Sequence, residues 1–114
     1  MFRNHELLCN ADAYFKLKEI YGEDFIDRIT NNEVETICVM LSMFSTKAEA
    51  YHRFMHEPAQ EPLDAAELLV TMNVRELAEA RVELMEAINK GLDVKTDPNQ
   101  EIDLVLQENQ KKTD

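Results

Sequence analysis

The stretch of sequence that decides the fold is residues 33–56, which read EVETICVMLSMFSTKAEAYHRFMH. Its apolar residues recur every three or four positions, the spacing that places them on one face of an α-helix. They are Val34, Ile37, Cys38, Leu41, Phe44, Ala48, Tyr51 and Met55. Between Ile37 and Phe44 almost every residue is apolar, and a helix that is apolar all round is buried on several sides. We therefore predict a central buried helix whose last part, from Lys47 onward, emerges to solvent.

Two shorter helices are predicted before the central one. The first follows Asn10, because an Asn side chain can accept a hydrogen bond from a free helical N–H group, and it ends at Gly22. The second covers residues 23–29. Asn32 is then the predicted N-cap of the central helix.

Two more helices are predicted after it. A linker at residues 57–62 contains two prolines, which disfavour helix in the residue before each. A short helix follows at 64–72. Asn73 and Glu76 then form a capping-box pattern for a helix at 74–89, which Lys90-Gly91 closes. The predicted buried face of that helix is Val74, Leu77, Ala78, Leu84, Met85 and Ile88.

The two ends of the chain do not follow a helical pattern. Leu7-Leu8-Cys9 could end a short N-terminal β segment. Residues 93–114 are mostly polar and charged, so we predict a flexible acidic tail after a helical domain at 1–92. The tail contains a short apolar motif that could dock on another surface, formed by Ile102, Leu104, Val105 and Leu106. The predicted fold class is mainly α, a small domain of about five helices.

Composition narrows the classes of function. The formal net charge is −11, which disfavours binding to nucleic acid or to anionic membranes because both attract Lys and Arg. Gly and Pro number only 2 and 3, which argues against a many-turned β-sandwich or barrel. We find neither a signal peptide nor an apolar run long enough to span a membrane, so we expect a cytoplasmic protein.

We find no signature of catalysis or of a cofactor. Ser42 and Ser45 are not in a Gly-flanked nucleophile turn, and no Gly-rich loop could cradle a phosphate. His52 and His56 share a helix face, but the residues between them do not complete a zinc motif, and we favour solvent-facing histidines. A calcium-like alternation starts at Asp97 but has Ile102 where the loop needs Gly. We therefore expect no enzyme, no metal and no cofactor.

Three segments, in this order, resemble a known family. The first is FKLKEIYG at residues 15–22 with the apolar pair at 25–26, and the second is AEAYHRF at 48–54. The third is PLD at 62–64 with its helix, followed by ELMEAINKGL at 83–92. Over about residues 11–92 this order resembles the tail assembly chaperones of long-tailed bacteriophages and their prophages. One departure is the N-terminus, which is shorter than the β segment of many relatives.

The resemblance implies a function that is not enzymatic. Such chaperones are encoded just before the tape measure protein, coat that long helical chain and keep it soluble. In many phages a ribosomal frameshift adds a second domain to some copies, and that domain recruits tail tube subunits. The resemblance further implies several copies per tape measure protein, self-association, and absence from the finished virion.

An apolar groove between helices would accept an amphipathic partner helix. We predict it beside the helix at 74–89 and the exposed part of the helix at 47–56. The candidate lining residues are Tyr51, Phe54, Met55, Leu77, Leu84 and Met85. For each of them, packing inside the domain is the alternative. Two other functions remain open at this stage: an acidic DNA mimic with little exposed apolar surface, and a generic helical adaptor.

Overall fold

A computed structural model describes residues 1–93, and this part of the chain contains five α-helices. They are α1 (Ala11–Tyr21), α2 (Phe25–Thr30), α3 (Val34–Phe54), α4 (Ala65–Thr71) and α5 (Val74–Gly91). The mainly helical fold predicted from the sequence is confirmed. The predicted tail, its apolar motif and the calcium-like alternation fall largely in residues 94–114, outside the described part of the chain.

Helix α3 is the centre of the core, as its apolar pattern predicts. Ile37, Met40, Leu41 and Phe44 are completely buried. The other four helices all pack against α3. The core is completed by fully or almost fully buried side chains from α1, α2, α4 and α5, which include Leu17, Phe25, Ile29, Leu68, Leu84 and Ile88.

Helix ends agree with the sequence where the signal is local. The Asn10 side chain accepts a hydrogen bond from the Ala13 N–H at 2.9 Å. Asn73 and Glu76 form the full capping box: the Glu76 N–H donates to the Asn73 side chain at 2.8 Å, and the Asn73 N–H donates to the Glu76 carboxylate at 3.3 Å. Gly22 ends α1 with a φ of 90°, a conformation that favours glycine.

The predicted cap of α3 is wrong. Helix α3 begins after Glu33, and neither residue 32 nor residue 33 supplies a side-chain cap. Asn32 instead takes a left-handed conformation, with a φ of 57°, and turns the chain between α2 and α3. The Glu33 N–H bonds to the Arg28 carbonyl at 3.0 Å, so the tight α2–α3 connection fixes this corner.

The N-terminal segment, residues 1–9, forms no strand. Phe2 and His5 make one isolated antiparallel bridge around a two-residue turn, in which Arg3 and Asn4 both have positive φ. Phe2 is buried at the end of this turn. Core packing, rather than pairing with another strand, therefore positions the segment.

Hydrogen bonds from both side chains and backbone hold the N-terminal segment against α3, α4 and α5. Arg3 donates two hydrogen bonds to the Glu76 carboxylate, at 2.8 and 3.0 Å, and one to the Thr71 hydroxyl at 3.1 Å. This pairing raises the pKa of Arg3 and lowers that of Glu76. The Leu8 N–H donates to the Phe44 carbonyl at 3.0 Å, which fixes the segment against α3.

The buried face of α5 differs from the predicted one. Val74 is 83% exposed and Ala78 is also exposed, whereas Ala80 and Ala87 are buried. The helical spacing alone placed Val74 and Ala78 on the apolar side. The buried face of the helix instead consists of Ala80, Leu84, Ala87 and Ile88.

Candidate protein-binding surface

The apolar stripe of α3 continues beyond the part of the helix that the core covers. Ala48 is the last stripe residue that is buried. Tyr51 and Met55 continue the same spacing but are 52% and 49% exposed, and Phe54 beside them is 81% exposed. We call these three residues the end surface. It lies at the C-terminal end of α3, which has 21 residues and a length of roughly 30 Å.

A defined helix end holds the end surface in place. His56 takes a left-handed conformation, with a φ of 58°. The His56 N–H donates to the Arg53 carbonyl at 3.1 Å, and the Glu57 N–H donates to the His52 carbonyl at 2.8 Å. These two bonds are the pattern of a Schellman cap, which usually has glycine at the left-handed position.

We expect the substitution His56→Gly to stabilise the protein. Glycine removes the steric cost of the left-handed conformation, and the gain in unfolding free energy should be about 1 kcal/mol. Urea unfolding followed by circular dichroism measures it. His56→Ala is the matched control and should bring no gain, since alanine keeps the Cβ atom. Equal stability of the glycine and alanine variants would contradict this assignment of the cap.

His52 connects the end of α3 to two other parts of the chain. Its Nδ1 lies 2.9 Å from Glu57 Oε1, and its Nε2 lies 3.0 Å from Glu6 Oε2. The Tyr51 ring meets the His52 ring edge-on at 6.1 Å. Since both ring nitrogens face carboxylates, the doubly protonated imidazolium is favoured. The hydrogen bond with Glu57 is the largest cause that raises the pKa of His52 above its usual value of 6.5, and the hydrogen bond with Glu6 is the second.

This raised pKa predicts a pH-dependent stability. A pKa that is higher in the folded state stabilises the protein below the unfolded value, and the contribution is lost as the pH rises through the folded value. Wild type should therefore exceed His52→Gln in unfolding free energy by more at about pH 5.5 than at about pH 8.5. Urea unfolding at both pH values measures the difference. A difference independent of pH, or larger at the higher pH, would refute the assignment.

Hydrogen bonds to side chains of α3 hold the linker that follows this helix. Glu49 is buried and accepts a hydrogen bond from the Gln60 N–H at 2.6 Å. Ser45, also buried, accepts from the Leu63 N–H at 2.9 Å and donates to the Ser42 carbonyl at 3.0 Å. A buried carboxylate at position 49 was not predicted, because the residue with which it pairs is separated from it by a turn.

The structure divides the six predicted lining residues into two groups. Tyr51, Phe54 and Met55 form the exposed end surface, whereas the three residues on α5 face the core. Leu84 is completely buried, so its prediction as a lining residue is corrected. Leu77 and Met85 are half-buried and pack against the core. The predicted groove is therefore replaced by an exposed helix end.

Sequence reasoning missed other exposed apolar side chains. Val70 is 84% exposed, and Val74 and Val82 lie on a solvent-facing side of α5. Val74, Ala78 and Val82 are spaced four residues apart, so the helical period groups them on one side. The sequence contained this signal, but Val74 and Ala78 were assigned to the predicted core face.

Metal-binding clusters and reactive thiols were sought among the described residues. Within residues 1–93, no group of three His, Cys, Asp or Glu side chains could hold a metal ion. Burial raises the pKa of the Cys9 thiol to about 11 and also raises that of Cys38. Both thiols are therefore poor nucleophiles at neutral pH.

Neither a membrane segment nor a known relative points to a function. Among the helices of residues 1–93, none is both long and apolar enough to cross a membrane. Comparison with protein-family models, with curated proteins and with solved structures finds no match to this chain. The end surface and the resemblance in the sequence are the two features of this chain that bear on its function.

Proposed function

We propose that this protein is a non-catalytic tail assembly chaperone that binds and solubilises a phage tape measure protein. The observation that carries the proposal is the end surface, where Tyr51, Phe54 and Met55 are exposed at a capped helix end. Segment 48–54, one of the three that resemble the family, includes two of these residues. The resemblance supplies the identity of the partner.

The end surface has the chemistry that an amphipathic partner helix requires. Two aromatic rings and a methionine offer a large apolar area, and methionine adapts to varied partner side chains. The rest of the described chain is acidic: residues 1–93 carry 9 Lys and Arg against 18 Asp and Glu, a net charge of 9 − 18 = −9. Such a shell would keep a bound apolar chain in solution by charge repulsion between complexes.

We also propose for this chain the other features that the resemblance implies for tail assembly. A longer, frameshifted form would recruit the tail tube protein, and several copies would bind each tape measure chain. The protein would act in the bacterial cytoplasm and be absent from the mature virion. Self-association would let neighbouring copies cover a long helical partner.

The exposed apolar side chains favour protein binding over the acidic DNA mimic. A mimic needs carboxylates along one face and little exposed apolar surface. Residues 1–93 expose twelve large apolar side chains, among them Phe54, Val70 and Val74. A generic adaptor would also expose apolar side chains, so an experiment is needed to distinguish it from the chaperone.

Co-expression tests the proposal. The tape measure protein encoded in the same genome is expressed alone and with this protein, and the soluble fraction and co-purifying copies are measured. We expect the tape measure protein to precipitate alone and to become soluble in a complex with several copies. If it gains no solubility, or if no such gene lies nearby, the chaperone proposal fails and the adaptor becomes the better hypothesis.

A further inference from the structure

We propose that in the free protein the end surface is covered by residues 102–106 of the same chain. These residues contribute the apolar side chains of Ile102, Leu104, Val105 and Leu106, which follow the described structure. The proposal does not depend on the tape measure protein, because both surfaces belong to one chain.

The described part of the chain ends beside the N-terminal segment. Helix α5 ends at Gly91, and a Cβ atom at that residue would lie 2.1 Å from the Cys9 carbonyl oxygen. The C-terminal end of α5 is thus in contact with the N-terminal segment. That segment is bonded to α3 at Phe44, about two turns before Tyr51.

The chain between Asp93 and the apolar motif is long enough to reach the end surface. Lys90 and Glu6 line the same cavity, and Glu6 contacts His52, the residue next to Tyr51. Glu6 therefore connects the last turn of α5 with the last turn of α3, the helix end that carries the end surface. Eight residues lie between Asp93 and Ile102, and such a length of chain can span roughly 30 Å when extended. The apolar motif can therefore reach the end surface without any movement of the helices.

The charges of the two surfaces are complementary. Arg53 adjoins Phe54 in the sequence and supplies a positive charge beside the end surface, and the Glu6 and Glu57 carboxylates at this end of α3 are both paired with His52. Among residues 1–93, no carboxylate forms an ion pair with Arg53. Residues 97–108 carry four carboxylates and no Lys or Arg, at Asp97, Glu101, Asp103 and Glu108. An apolar motif flanked by these carboxylates complements an apolar surface beside Arg53.

Covering the end surface would have a functional consequence. An intramolecular ligand has an effective concentration in the millimolar range when its linker is short, so a weak contact suffices to occupy the surface. A partner helix would then have to displace the motif. Free protein would expose less apolar area and would be protected from aggregation.

Intramolecular photocrosslinking of the full chain tests the proposal. Phe54→Cys is labelled with a benzophenone maleimide, which is selective because Cys9 and Cys38 are buried. Val70→Cys is the matched control, since Val70 is equally exposed but lies next to the opposite end of α5. No tape measure protein is present, so the result does not depend on the proposed function. Crosslinked peptides are mapped by mass spectrometry.

We expect the label at position 54 to join residues 97–108 within one chain, with a yield that does not change on dilution and is about tenfold that of the control. Leu104→Asp combined with Leu106→Asp should abolish this crosslink. The proposal is overturned if the yield survives that double substitution, if the label reaches only residues 1–93, or if crosslinks join two chains and disappear on dilution. The last outcome would assign the surface to a second copy.

Discussion

Leu84→Ala is expected to lower the unfolding free energy by about 2–5 kcal/mol. Leu84 is completely buried in the core between α5 and its neighbours, so removing its side chain leaves a cavity. Phe54→Ala removes a larger side chain, yet its effect should stay within about 0.5 kcal/mol because Phe54 is 81% exposed. Urea unfolding of both variants measures the contrast.

The same pair separates two interpretations of the predicted surface. If Leu84 lined an exposed groove, as the sequence predicts, Leu84→Ala would weaken partner binding with little loss of stability. A loss below about 1 kcal/mol for Leu84→Ala, or one of similar size for Phe54→Ala, would contradict the described core.

Gly91→Ala should lower the unfolding free energy by about 2–3 kcal/mol instead of raising it. In an ordinary helix the change from Gly to Ala stabilises by about 1 kcal/mol. Here the added Cβ would lie 2.1 Å from the Cys9 carbonyl oxygen and 3.2 Å from its carbon, and a backbone neighbour cannot rotate away. The N-terminal segment would have to move, which would disturb the buried Phe2 and Cys9.

Asn89→Ala is the control for helix propensity, because Asn89 is an exposed residue of the same helix. It should leave stability unchanged or raise it slightly. Thermal unfolding of the two variants shows whether each substitution raises or lowers the stability. Stabilisation by Gly91→Ala would mean that α5 does not lie against Cys9.

The sequence predicted features that depend on nearby residues. The Asn10 cap, the Asn73–Glu76 capping box and the course of α3 each follow from side chains within a few positions of one another. The apolar run from Ile37 to Phe44 likewise indicated burial on several sides. These predictions hold because the interactions that decide them are complete within a single helix.

Predictions failed for features that depend on contacts between residues far apart in the sequence. Gly91 was expected only to end a helix, but it is the last residue of α5 and allows the approach of Cys9. Glu49 is buried because the Gln60 N–H donates to it, and no periodic pattern reveals that pair. Leu84 and Phe54 are both apolar residues on helices, and only the arrangement of the helices separates a core residue from an exposed one.

The most direct test is the soluble yield of the tape measure protein with end-surface variants of this chain. Tyr51→Ser, Phe54→Ser and Met55→Ser are combined in one variant, and Val70→Ser, Val74→Ser and Val82→Ser in a control that removes similarly exposed apolar groups. Both variants must first show wild-type unfolding curves. We predict that the end-surface variant loses most of the soluble complex while the control retains it. Equal yields with the two variants would contradict the assignment of binding to the end of α3.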